Sequence, residues 1–191
     1  MPYDPVVPPF KLAFHDMPKG QLAEYREWFL REKPHRMKVL EGAVIETPGF
    51  EKWLMDRSPE SLKLLGEWFA QNVRTRLRTD DEIERIRSNQ RFQIAIPPVD
   101  LDYETLSLAF DVGMYLGDVM VKAFPVLRWE QYLKTRRALY FGQMVLLGFH
   151  ADVPMATVSL ANVLAYGIAD HTRDGSSLYE LFTIRAKNVI S

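Results

Sequence analysis

Cysteine is absent from this chain, so disulfides, thiolate metal sites and thiol nucleophiles are all excluded. A surplus of either charge is missing too. The 24 Lys and Arg stand against 25 Asp and Glu, for a net charge of -1, which gives no overall pull toward nucleic acid or an anionic membrane. The opening stretch MPYDPVVPPF lacks the basic patch and apolar run of a secretory signal. The longest uncharged run, 153–169, is interrupted by Pro154, Asn162 and Gly167 and is too short to span a bilayer. Together these absences lead us to expect a cytoplasmic protein with no membrane partner.

Catalytic signatures are equally scarce. There is no GxSxG elbow, no P-loop and no GxGxxG turn ahead of a helix. None of His15, His35, His150 and His171 is spaced from another as two ligands on one helical turn. No catalytic residue, metal or cofactor is therefore assigned.

What the chain does have is core material, with 47% hydrophobic and 12% aromatic residues among 191. That is enough for one domain, and disorder over most of the length is not expected. The organising stretch is 101–124, which should be a long helix dry on more than one face. Within it Ala109, Gly113 and Gly117 recur every fourth residue and make a shallow groove, and Pro125 stops the helix. Ala161, Ala165 and Ala169 repeat that spacing in a later helix expected from Asp152 and Pro154 to about His171. Small residues at this interval let two helices nest, so these two sets are expected to face each other.

Around this pair the chain divides into three. Residues 1–17, with Pro2, Pro5, Pro8 and Pro9, read as an extended arm in which Phe10, Leu12 and Phe14 alternate as in a short strand. Residues 18–91 form a helical half: a helix from Pro18 to about Glu32, a second opened by Pro34, a turn at Thr47-Pro48 carrying Phe50, Trp53 and Leu54, and a helix capped at Ser58-Pro59-Glu60. Leu22, Glu27, Trp28, Phe29 and Arg36 recur 40 residues later as Leu62, Glu67, Trp68, Phe69 and Arg76, which two amphipathic helices with Trp-Phe core knobs explain. Residues 74–91 carry six Arg against four acids and no interleaved aromatic, so a solvated helical link is expected rather than a nucleic-acid surface. Residues 94–98 read as a loop that enters the central helix near Asp102, a candidate cap.

Residues 100–191 form a helix, hairpin, helix half. The hairpin strands are 128–133 and 138–149, turning at 134–137, with Trp129 against the central helix and Gly142 and Gly148 marking a bulge and a strand end. A last helix should follow the turn at 174–176 and run from Leu178 to Ile190, with Leu181, Phe182 and Ile184 inward. The fold class is α+β, mainly α, with a small antiparallel element near residues 128–149.

Two polar groupings are the candidate ligand- or partner-binding residues. Asp170, His171 and Asp174 cluster at a helix end, where a charged imidazole is favoured by the helix dipole and a general base oriented by a carboxylate is the functional alternative. Glu104, Asp111 and Asp118 fall seven apart on one edge of the central helix. Beside Ser107 and Lys122 they read as its single wet face, with acid–base or metal work as the alternative.

The run SPESLKLLGEWF (58–69), the segment DVGMYLGDVMVKAFPVLRW (111–129) and the helix opened by Pro154 resemble a group of uncharacterised bacterial proteins. The resemblance implies a helical N-terminal half joined to a helix, hairpin, helix module, and a bacterial source. Similar modules occur among small accessory proteins encoded beside toxins or prophages. Such modules often carry Glu after the second glycine, where this chain has Asp118. The expectation is a non-catalytic binding or accessory protein, immunity-like or an adaptor, whose partner is another protein. The alternative is an enzyme using Asp170 and His171, or the Glu104, Asp111, Asp118 edge.

Overall fold

A computed structural model describes residues 3–92, 94–150 and 153–189. Among these the chain forms α1 (Lys19–Ile45), α2 (Ser61–Asn72), β1 (Thr75–Leu77), α3 (Asp80–Asn89), β2 (Val99–Leu101), α4 (Tyr103–Ala123), β3 (Arg128–Gln131), β4 (Met144–Leu147), α5 (Thr157–Ala169) and α6 (Ser177–Ala186). The fold is α+β and mainly α, with two separate two-stranded antiparallel sheets, β1-β2 and β3-β4. No helix among the described residues is long and apolar enough to cross a membrane.

α4 is the central element. Asp102 caps it by accepting from the Thr105 N–H at 2.7 Å, and Phe124 turns extended ahead of Pro125. Every residue from Ser107 to Gly117 is buried, so three full turns are enclosed. α1, α2, α5 and α6 all touch it. One continuous apolar cluster runs from Met17 through α1, α2 and α4 to Phe182.

The expected nesting of α4 with α5 holds at one glycine only. A Cβ on Gly113 would sit 2.5 Å from the Cα of Val158 and 2.9 Å from the carbonyl oxygen of Thr157. The α5 backbone can reach α4 there because the side chain is missing. At Gly117 the neighbour is instead the ring of Trp129, 2.1 Å from where a Cβ would lie. α5 runs antiparallel to α4, since its first turn meets Gly113 while Tyr166 reaches Asp100 just ahead of α4. Its first turn has therefore already begun short of Gly117, and the indole fills the remaining groove. Ala161 and Ala165 are fully buried farther along α5, and Ala169 is half-buried. The expected anchoring of Trp129 on the central helix is thus correct, and the pairing of all six small residues is not.

Several boundaries differ from expectation for definable reasons. α1 passes unbroken through Pro34, where two helices were expected. Pro34 and Leu30, whose carbonyl loses its helical donor, are both exposed, so water can serve that carbonyl. Tertiary packing of Arg36, Met37, Leu40 and Val44 holds the second half of the helix in line. α2 starts at Ser61, where Ser58 Oγ accepts from the Ser61 N–H at 3.2 Å. α5 starts at Thr157, because Met155 still pairs with Leu146 of β4. Asp152 and Ile190, expected near the ends of the last two helices, lie outside the described residues. Ile184 is exposed rather than inward and Leu181 is half-buried, while Leu178 and Phe182 reach the core from α6. Leu54, expected with Phe50 and Trp53, is exposed as well.

The hairpin after Pro125 is present with register Arg128↔Leu147 to Gln131↔Met144. Its second strand is shorter than expected, because residues 138–143 form turns. Gly142 is in one of those turns at φ +80°, not a bulge, and Gly148 at φ +113° ends β4. No strand forms in the described part of the N-terminal arm; instead Tyr3, Val6, Phe10, Leu12 and Phe14 pack half-buried on the core.

The β1-β2 pair was not expected. Thr75 pairs with Leu101, Arg76 with Asp100 and Leu77 with Val99. Between them α3 begins with a complete capping box, Thr79 with Glu82. None of the residues of α3 or of β1 is buried, so the predicted solvated character is right for both, and only the helical expectation fails, at Thr75–Leu77.

Candidate functional site

The seven-residue spacing of Glu104, Asp111 and Asp118 does place them on one edge of α4, but that edge is exposed only at Glu104. It is the seam against α1 and the N-terminal arm. Asp111 is completely buried and takes a bidentate grip from Arg36, with Nε 3.0 Å from Oδ1 and Nη2 2.7 Å from Oδ2. The Tyr3 hydroxyl donates to Asp111 Oδ2 at 2.5 Å. Arg36 also donates to the Asp4 carboxylate and to the Asp4 carbonyl, both at 2.8 Å. Ser107, expected on the wet face, is buried and its Oγ accepts from the Val6 N–H at 3.0 Å. The arm is thereby strapped across a buried ion pair.

Burial pushes the Asp111 carboxyl above the usual carboxylate range, against the pull of Arg36 and Tyr3. Burial, then the adjacent Asp111 charge, pushes the Tyr3 phenol well above its ordinary value, so it stays a proton donor. Arg36 and Tyr3 satisfy the Asp111 carboxylate, and Asp4 takes further Arg36 donors. The enclosed carboxylate holds α1, α4 and the arm together.

The other two acids of the row end in different places. Glu104 is exposed, accepts from the Tyr3 N–H at 3.4 Å, and opens on a cavity of about 500 Å³ between the arm, α1 and α2. Asp118 is half-buried, ion-paired with Lys33, and accepts from Trp129 Nε1 at 3.1 Å. It opens on a second cavity of about 630 Å³. Asp111 lines neither, so the three acids share no pocket.

The second grouping is dispersed into turns. Asp170 accepts from the Thr172 N–H at 3.0 Å and its hydroxyl at 2.6 Å. Asp174 accepts from the Ser176 N–H at 2.9 Å and its hydroxyl at 2.7 Å. Those donors hold both carboxyls below the usual range, as expected where Asp stabilises a turn. His171 is exposed, with backbone φ +61°, and makes no hydrogen bond to either acid among the described residues. Asp170 lines a groove between α5 and α6, whereas His171 and Asp174 line a separate hollow beside Val73. Among the described residues, no three His, Asp or Glu side chains gather as a metal site.

No protein-family model, curated protein or solved structure matches the chain. Function is accordingly read from the molecule's own surfaces.

The surface that sequence reasoning missed is the excursion from 74 to 103. Leu77, Phe92, Ile94, Val99 and Tyr103 are all exposed there, and Leu77 and Val99 face each other across the β1-β2 pair. Arg76 is bidentate to Glu82, at 2.8 and 2.7 Å, with its guanidinium over the Tyr103 ring. Arg78 pairs with Asp100, which also accepts from the Tyr166 hydroxyl at 2.6 Å. The Tyr166 phenol is pushed up to about 12 by its partial burial and by Asp100. The usable signal was Thr79-x-x-Glu82, which sets the helix start partway into a stretch expected as one helical link. For Arg36, the signal was an acid row on α4 that needed a cation row on whichever helix met it.

Proposed function

We propose that this chain is a non-catalytic binding or accessory protein of a bacterial cytoplasm, immunity-like or an adaptor, and that its partner is another protein. The observation that carries the reading is the excursion surface, where five large apolar side chains stand in solvent on a helix-and-ribbon excursion whose helix buries nothing. Clusters of that kind mark interaction sites more often than chance exposure does. A protein is favoured over nucleic acid because Arg76, Arg78 and Arg87 are engaged by Glu82, Asp100 and Glu84. Asp111, Asp118, Asp170 and Asp174 are bound to Arg36, Lys33 or turn donors, which supports the non-catalytic side of the reading.

The test is co-purification from the native host, with mass spectrometry of what is retained, for the wild-type chain and for Leu77→Asp with Phe92→Asp. Both positions are exposed, so the double variant should fold normally and lose the partner. Equal recovery of the same partner by both proteins removes the excursion from the reading.

A further inference from the structure

We propose that the cleft bounded by α1, residues 55–57, α4 and β3 binds a small organic anion, one carboxylate or phosphate group on an apolar body. The cleft encloses about 630 Å³, within the usual range for a small-molecule site. Its apolar lining comes from Met37, Met55, Val121 and Trp129. Four cations, Lys33, Lys38, Arg57 and Lys122, converge on it from three separate segments, against two acids, Asp118 and Glu41. This local excess of positive charge occurs on a chain whose net charge is -1.

The charges are not equivalent. Lys33 is neutralised by Asp118 and lies 5.5 Å over the Trp129 ring, so that trio is a fixed wall. Lys122 donates to the Asp56 carbonyl and lies within electrostatic range of the Asp56 carboxylate. Lys38 makes no hydrogen bond or ion pair among the described residues. Arg57 is 4.0 Å from Asp118 Oδ2 with its side chain half exposed. An anion entering the cleft would find Lys38, Arg57 and Lys122 able to turn toward it, over an apolar floor that selects an organic body.

Arg57 is the more informative residue because its backbone is held at φ +57°. That left-handed conformation is unfavourable for a side chain with a Cβ and persists only when the surroundings impose it. They do so here: the Arg57 N–H donates to the Tyr115 hydroxyl at 3.0 Å, and that buried tyrosine shares a 2.8 Å hydrogen bond with Ser61. The Asp56 carboxylate accepts from the Ser58 N–H at 2.7 Å and pins the other side. A glycine would take this backbone without strain, yet an arginine is there, and its guanidinium faces the cleft. The site shares no residue with the excursion surface, so it stands or falls independently of the protein partner.

The experiment is isothermal titration of the full chain with phenyl phosphate, phenylacetate and, as the uncharged control, benzyl alcohol. At least one anion should bind, benzyl alcohol should bind at least tenfold more weakly, and Lys38→Gln with Arg57→Gln should weaken the anion at least tenfold. Arg57→Gly removes the guanidinium while relieving the backbone, so it should melt no lower than wild type and still bind more weakly. Preference for phenyl phosphate or for phenylacetate assigns the anion class. Failure of both anions to bind at millimolar concentration overturns the proposal, as does undiminished binding by the folded Arg57→Gly protein or equal binding of benzyl alcohol.

Discussion

Arg36 and Arg76 are 40 residues apart in matching sequence contexts, and each makes a bidentate pair with one carboxylate. Their surroundings are opposite. Arg36 and Asp111 are sealed between α1, α4 and the arm, with side-chain exposures of 4% and 0%, while Arg76 and Glu82 keep 25% and 21%. Burial raises the Asp111 carboxyl, whereas the Arg76 hydrogen bonds lower Glu82 to about 2. The same ionic geometry therefore works in two ways. In the seam it is a constraint whose loss would strand a charge in a dry interior; on the excursion it is a brace with water as a substitute.

The largest expected effect tests that contrast directly. Arg36→Met should cost about 3–5 kcal/mol, because Asp111 is left buried and unpaired. Asp111→Leu alone should cost a similar amount by stranding Arg36, whose other carboxylate partner, Asp4, is half exposed. The double variant should recover most of the loss, since replacing a buried pair by apolar side chains of similar volume is often nearly neutral. Denaturant unfolding of the three variants reads the cycle. Additive losses would mean that the seam is held by packing alone and that the pair is no different in kind from Arg76 and Glu82.

A smaller effect separates the glycine contact from the open glycines. Gly113→Ala places a Cβ 2.5 Å from the Val158 backbone, so overpacking should outweigh the gain in helix propensity and cost about 1–2 kcal/mol net. Gly42→Ala, on α1 with nothing within 4 Å, should instead stabilise by about 0.5–1 kcal/mol. Melting temperatures moving in opposite directions would support the close α4-α5 approach. Equal shifts would dismiss it.

How much of this was visible beforehand follows the same division. α4 was legible because its cap at Asp102, its stop at Pro125 and its apolar breadth all agree. Trp129 was legible as an anchor, since an aromatic directly after a proline-terminated buried helix must turn back onto it. The seam was half legible: a seven-residue acid spacing names an edge of a helix but not what covers it. Only knowledge that α1 continues through Pro34 brings Lys33 and Arg36 opposite that edge. The cleft at Arg57 could not be read at all, because a positive φ leaves no mark when the residue is not glycine. The β1 and β2 strands, three residues each, are too short to show alternation.

On the excursion the expected effects are local. Thr79→Ala removes the cap oxygen that accepts from the Glu82 N–H and should destabilise α3 by about 1 kcal/mol. It should appear as faster amide exchange confined to residues 80–89, with global unfolding unchanged, because α3 buries no residue. A drop in global stability would show that α3 is coupled to the core and would blur the contrast with the seam.

The smallest effect is a pH dependence of opposite sign in the two regions. Glu82 has a lowered folded pKa, so its contribution is complete above the ordinary value of 4.5 and is lost as pH falls toward about 2. Exchange protection in α3 should fall across that window, and Glu82→Gln should abolish the dependence. Asp111 has a raised folded pKa, so the folded seam holds its proton more tightly than the unfolded chain does. Its contribution therefore declines as pH rises through the ordinary carboxylate range and above it. Asp111→Asn should remove that slope from global unfolding while leaving α3 exchange unaltered. If α3 protection and global stability instead fall together on acidification, the two arginine pairs belong to one cooperative unit, and burial is not what distinguishes them.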